Sequence, residues 1–382
     1  MFTLRQYLFS VEDPYGLFRT LSDLRFEHDE AGRISYRIGN SAVTFPVWHN
    51  GAKHALRCYF RPTKQLRRIY GEAYLERELF LYDAPPHGRW VDVVLIPWIE
   101  GEELGKAVRE AAEAGDQKTL RTLSEQFDRL ALELLRAPWA HGDLKPENIL
   151  VAPDSTLHLI DRDAMFLPEM LGEHSPELGT AAYQHPRRTA EDFNASMDDF
   201  SVALLSSALH ALSLDPTLYE HYAERDGLLI DTQHLETDEA LKDILHLFEV
   251  KGLAVRYRIA RTLLRRGPST LSAQPWLELL GKTFATAEGE APELYFAREG
   301  LCGFRTEERI VIPPMFDDGR DFTEGLAAVQ LGATWHFIDR HGAIALSLPT
   351  GHGVKPFRSG RARVYTEDSM YEIDLAGNRF EN

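Results

Sequence analysis

The sequence predicts an α+β protein in which a strand-rich segment, a helical segment and a small all-β repeat region follow one another. Three observations carry this prediction. Short apolar runs with turn residues between them occupy residues 34–60, and helical spacing of apolar residues dominates from Leu120 to Leu280. From Phe322 onward the chain repeats itself at an offset of 35 residues, and Gly303-Phe304 matches His336-Phe337 at an offset of 33, with glycine turns and no helical pattern.

Bulk properties bound the function. At 382 residues the chain exceeds one average domain, so two are expected, and 44% hydrophobic with 26% charged residues is ordinary for a globular protein. A net charge of −17 argues against general nucleic-acid or anionic-membrane binding, although it allows a local basic groove. Cys58 and Cys302 are too few and too far apart for a disulfide framework or a zinc site. No basic-then-apolar leader opens the chain, and no apolar run reaches the roughly 18 residues that span a bilayer. A cytoplasmic location is expected.

Taken in order, residues 1–30 form an N-terminal extension of one or two short amphipathic helices, on the spacing of Leu4, Leu8, Leu17, Phe18, Leu21 and Leu24. Strands are expected at Ile34–Ile38, Val43–Trp48 and His54–Phe60, with His49–Lys53 as the hairpin turn between the last two. Helical spacing follows over Lys64–Tyr82, then a buried strand over Val91–Ile99. Leu120–Leu135 reads as a long helix, and Ser196 caps another running to about Leu214. Further helical faces lie at Leu241–Leu253, Val255–Leu264 and Trp276–Leu280, where the cluster Arg256, Arg258, Arg261, Arg265 and Arg266 reads as a solvated face. Residues 285–290 read as a linker to the repeat region of residues 290–382.

The chemistry concentrates in His141-Gly-Asp-Leu-Lys-Pro-Glu-Asn-Ile-Leu-Val151. Asp143, Lys145 and Asn148 are spaced too tightly for one helix face, and Pro146 excludes a helix interior, so they sit on a loop. Thirteen residues after Asn148, the apolar Leu159-Ile160 ends in the carboxylate of Asp161. These motifs resemble the catalytic loop and metal loop of the eukaryotic-type protein kinases. The resemblance implies a bilobal kinase-like domain over residues 31–285, with a strand-rich small lobe to about residue 99 and a helical large lobe from about residue 100.

The same resemblance implies roles. Asp143 would orient the attacking hydroxyl, Lys145 would place a charge near the γ-phosphate, and Thr180, in Gly179-Thr-Ala-Ala-Tyr183, would contact both. Asn148 and Asp161 would hold magnesium, with manganese as an alternative, and ATP would be the second substrate. The turn Gly39, Asn40 and Ser41 stands where a glycine-rich loop would cover the phosphates. Arg57 stands where a lysine is expected, with Glu72 or Glu76 as its helix partner. Ile96 would be the gatekeeper, and Pro97 and Ile99 would meet the adenine. Asp198 would anchor the backbone of the catalytic loop. Departures accompany the match: Gly142 replaces an arginine, Arg162 and Asp163 replace Phe-Gly, and Arg187 replaces the glutamate that closes the activation segment.

In the C-terminal region Phe322, Gly325, Ala327 and Val329 recur as Phe357, Gly360, Ala362 and Val364, and Gly303-Phe304 marks a truncated third copy. This resembles the bacterial WG-repeat module, with Trp335 its one retained tryptophan, and implies partner binding. The expected function is transfer of a phosphoryl group from ATP to serine or threonine of a protein substrate. A pseudokinase scaffold that binds a partner protein and a small-molecule kinase are the alternatives, and the sequence leaves the oligomeric state open.

Overall fold

The computed structural model describes residues 2–84, 87–222, 228–265, 267–268, 271, 274–280, 292–297, 300–307 and 309–380. The chain divides into two units, Met1–Gly101 with His158–Met165, and Glu102–Leu157 with Phe166–Asn382. The linker expected at residues 285–290 and Arg266 lie outside the described residues.

In the first unit, Asn50 and Gly51 take φ values of 50° and 79° and turn Ala42–His49 back onto Ala52–Tyr59. An Asn-Gly pair is suited to this turn because both residues tolerate positive φ, which matches the strand twist. An antiparallel sheet grows from this hairpin in the order Arg25–Phe26, Ala42–His49, Ala52–Tyr59, His87–Pro97, Tyr74–Ala84, with Arg37–Ile38 also paired to Ala42–His49. Val43, Phe45 and Val47 alternate into a core with Leu56, Cys58, Leu79 and Val93, while Ala42, Tyr59, Leu66 and Val94 form a second cluster. The N-terminal residues belong to the first core: Tyr7 and Val11 of helix Leu4–Glu12 are buried in it with Leu17, Leu21 and Leu24. Buried Glu78 accepts the Thr20 and Leu21 amides (2.7 and 2.9 Å), which ties that segment to the sheet.

Three expectations are corrected here. The helix read over Lys64–Tyr82 is a single short helix, Gln65–Tyr70, with a 3₁₀ turn at Gly71–Ala73, and the chain then enters the strand Tyr74–Ala84. Leu75 and Leu79 mimic a helical i, i+4 pair because a register shift separates them. Past it, buried Leu79 and Leu81 show the strand's period of two. The strand read over Val91–Ile99 runs from His87 to Pro97, and the strand read over Ile34–Ile38 shrinks to Arg37–Ile38.

The second unit is built on helix Gln117–Leu134 and helix Asp199–Leu214, the latter buried along nearly its whole length. Asp116 caps the first by accepting the Lys118 and Thr119 amides (both 3.1 Å). Ser196 does not cap the second: its hydroxyl donates to Asn194. The arginine cluster is a solvated face only in part: Arg261 and Arg265 are exposed, whereas Arg256 and Arg258 turn inward. Arg256, on helix Ala254–Arg261, is buried against Asp128 and Ser206, Arg258 pairs with Glu278, and Arg261 pairs with Asp317. A buried cation requires such partners, since its desolvation is otherwise uncompensated.

Among the described residues, the C-terminal region forms three small antiparallel sheets, the first Glu293–Phe296, Cys302–Arg305, Ile310–Phe316. The next two, Asp318–Gly319, Ala327–Leu331, Thr334–Ile338, Ile344–Ser347 and Gly353–Val354, Arg361–Tyr365, Met370–Asp374, Arg379–Phe380, superimpose in register at the sequence offset. Val329 pairs with His336 as Val364 pairs with Tyr371, and Gly319 pairs with Val329 as Val354 pairs with Val364. Phe304 packs on Phe322 and Phe337 on Phe357, with ring centroids 4.8 and 4.7 Å apart. The repeats rest on the helices through buried Glu249, which accepts the Ala333 amide (2.9 Å) and the Thr334 hydroxyl (2.8 Å).

Candidate active site

The loop after helix Gln117–Leu134 is held from below. Asp198 accepts the backbone amides of His141 and Gly142 (2.9 Å for Gly142), two donors on buried residues. Gly142 takes φ 86° and Pro146–Asn148 forms one 3₁₀ turn, so Asp143, Lys145 and Asn148 project from a tightly folded segment. Asn148 Nδ2 donates to the Asp143 carbonyl (2.8 Å) and to Asp143 Oδ2 (3.1 Å).

Thr180 closes the arrangement. Its amide donates to Asp143 Oδ1 (2.6 Å) and its hydroxyl accepts from Lys145 Nζ (2.9 Å), which also lies 3.3 Å from Asp143 Oδ2. Burial works to raise the Asp143 pKa, but the Thr180 amide and Lys145 outweigh it and hold the carboxyl below its ordinary value. Gly179 makes the approach feasible. With φ 71°, a Cβ there would lie 2.7 Å from the Gly142 carbonyl and 3.0 Å from Asp143 Oδ1.

The first unit holds a second constellation. Arg57 Nη2 donates to Asp161 Oδ1 (2.6 Å) and Asp163 Oδ2 (2.8 Å), a single nitrogen serving two carboxylates. Burial disfavours the guanidinium charge, yet Tyr59, Tyr70, Asp163 and Asp161 together hold its pKa well above the ordinary value. Asp161 stands in the left-handed region (φ 57°, ψ 63°) at the entry to the 3₁₀ turn Arg162–Ala164, with its side chain 42% exposed.

The remaining expected residues fall as follows. Ser41 is half-buried and donates to Asp163 Oδ2 (3.0 Å), while Gly39 and Asn40 are exposed in the turn, closed by the Gly39 amide on the Ala42 carbonyl (2.9 Å). The expected pairing of Arg57 with a helix glutamate does not form. Glu72 is exposed in the 3₁₀ turn and Glu76 pairs with Arg67, because the helix that would present them ends at Tyr70. Ile96 is paired with Ala55 and packs beside Tyr59 and Leu66, Pro97 is the last residue of its strand, and Ile99 follows it.

Sequence reasoning missed four contributors. Asp163, Tyr59 and Tyr70 complete the Arg57 cluster, and Arg188 Nη1 donates to the Gly142 carbonyl (3.0 Å) and to Gln184. The usable signal was period two: Tyr59 shares a strand face with Arg57. Among the described residues, no group of three or more His, Cys, Asp or Glu side chains is arranged to hold a metal ion. Magnesium does not need one, since it takes one or two carboxylates together with phosphate and water oxygens.

No helix among the described residues is long and apolar enough to cross a membrane. No curated protein matches the chain. The family described as WG containing repeat matches residues 304–335, the segment from Phe304 through the first full repeat's Trp335.

Proposed function

We propose that the chain is an ATP- and magnesium-dependent phosphotransferase acting on serine or threonine hydroxyls of a protein, with the C-terminal repeats binding a partner protein. The observation that carries this reading is the closed contact of Asp143, Lys145 and Thr180, a carboxylate and a cation on one loop held together by a third residue. In this reading Asp143 orients the attacking hydroxyl and takes its proton. The hydroxyl oxygen bonds to the γ-phosphorus as the bond from that phosphorus to the β,γ-bridging oxygen breaks, and ADP leaves with the electron pair. A carboxylate with a depressed pKa is a weak base, which suits a transition state with little bonding to the nucleophile. Lys145 supplies positive charge beside the transferred group.

Magnesium, when bound, would neutralise phosphate charge. Each expected ligand offers a suitable donor within its own unit: Asn148 commits its Nδ2 to Asp143, which leaves a hard amide oxygen, and Asp161 uses Oδ1 for Arg57, which leaves Oδ2. Manganese fits the same ligand types. Arg57 Nε is buried without a partner among the described residues, a donor suited to a phosphate oxygen.

One observation favours a second reading, a scaffold that binds a partner without catalysis: Arg57 Nη2 lies directly on the carboxylate expected to hold metal. Calorimetric titration of ATP with and without magnesium, on the wild type and on Asp161→Asn, separates the two. The phosphotransferase requires magnesium-dependent binding that Asp161→Asn weakens. Absence of binding at millimolar ATP leaves the scaffold.

A further inference from the structure

We infer that Asp163 is a positioning residue for the proposed nucleotide and metal site: it anchors Arg57, and through Arg57 it sets the orientation of the Asp161 carboxylate. The inference rests on the phosphotransferase reading and adds to it a residue that the motif match leaves without a role.

Asp163 is 9% exposed and receives four donors. Tyr59 and Tyr70 hydroxyls donate to Oδ1 (2.9 and 2.8 Å), and Arg57 Nη2 and the Ser41 hydroxyl donate to Oδ2 (2.8 and 3.0 Å). An ionised carboxylate offers about four lone-pair sites, so Asp163 is saturated by protein and has none left for a cation. Its effect must therefore pass through what it holds. The donors arrive from the turn at Ser41, the strand Ala52–Tyr59 and the helix Gln65–Tyr70, which makes this carboxylate the point where three elements of the unit converge.

Arg57 is the link to Asp161. With one of its hydrogens on Asp163, the same nitrogen directs the other to Asp161 Oδ1 at 2.6 Å. Asp161 is a non-glycine residue in the left-handed region, a conformation that persists only where its surroundings over-determine it. The cluster has one cation and two carboxylates, a net charge of −1, so it attracts a divalent cation and disfavours bare phosphate. The anchor of Arg57 also lies two residues from Asp161 along the chain, whereas Glu72 is exposed. The cation's orientation thus does not depend on the placement of a helix-borne glutamate.

The test is calorimetric titration of ATP over a series of magnesium chloride concentrations, on the full chain and on Asp163→Asn, with the melting temperature of each recorded. Residues that orient a metal ligand typically change metal affinity by about 10- to 100-fold, so Asp163→Asn is expected to raise the magnesium needed for half-maximal ATP binding by that factor. Metal-free ATP binding should not weaken. Asp163→Glu, which keeps the charge, should recover part of the loss. Unchanged magnesium dependence in folded Asp163→Asn overturns the inference and leaves the phosphotransferase reading intact. If wild type itself shows no magnesium-dependent binding, that reading falls and this inference with it. Should Asp163→Asn fail to fold, Tyr70→Phe removes one Oδ1 donor and keeps the charge. A smaller shift in the same direction supports the inference, and none overturns it.

Discussion

Two polar constellations in this protein use similar residues in opposite ways. On the loop Asp143–Asn148 one carboxylate is surrounded by donors from Lys145, Asn148 and the Thr180 amide, and three of its four participants lie within six residues. In the strand-rich unit one guanidinium serves two carboxylates, and its participants, from Ser41 to Asp163, are up to 122 residues apart. The first arrangement leaves a charge-balanced carboxylate–lysine pair; the second leaves an excess negative charge. The contrast teaches that local chain geometry brings a carboxylate, a lysine and an amide together with one distant partner, whereas a cluster with excess negative charge is here assembled wholly by tertiary packing.

The most severe way to break the comparison is Asp143→Asn, which removes the proposed proton acceptor in a nearly isosteric side chain that keeps one of the two accepting oxygens. Phosphorylation of a protein substrate should fall about 10²- to 10⁴-fold while ATP binding persists, as a filter assay beside calorimetry would read. Equal loss of both would make Asp143 structural. Arg57→Met tests the other constellation by leaving Asp163 buried without its cation. Breaking a buried pair in this way costs about 3–5 kcal/mol, and urea denaturation should register it. A cost below 1 kcal/mol would mean that the two tyrosines and Ser41 satisfy Asp163 unaided.

Thr180→Val sharpens the comparison by removing only the hydroxyl that meets Lys145, since the amide on Asp143 remains. A net loss of about 1 kcal/mol is expected, hence a several-fold fall in turnover with little change in ATP affinity. The smallest effect concerns Asp199, beside Asp198, which supports the loop. Burial pushes its pKa up to about 7, helped by the charge on Asp198 and opposed by the Leu271 amide. A folded pKa above the unfolded one contributes stability that is full below about pH 4 and is lost as pH rises through about 7. Asp199→Asn stays neutral throughout and can still accept from Leu271. Its melting temperature should therefore exceed wild type by a few degrees near pH 8, and match it near pH 4, in a scanning calorimeter.

Legibility followed sequence separation. The hairpin at Asn50–Gly51, the helices Gln117–Leu134 and Asp199–Leu214, and the repeats with their offset of 35 were readable because each is stated by residues close together or by recurrence. The strand Tyr74–Ala84 was not, because a register shift gave Leu75 and Leu79 a helical spacing. The inward side of Arg256 was hidden for a related reason: periodicity shows which residues share a helix face, but Asp128, more than a hundred residues earlier, decides whether that face is wet.

What the sequence by itself determined is the mixed α+β succession, the repeat register and the identity of the loop Asp143–Asn148, since period, turn chemistry and tight spacing are properties of neighbouring residues. Only the tertiary structure decided that Arg57 pairs with Asp161 and Asp163 and not with Glu72, and that Glu249 receives the repeats. A buried charge must be matched by whichever counter-charge the fold brings within hydrogen-bond reach, and that choice is written in packing and not in the order of residues.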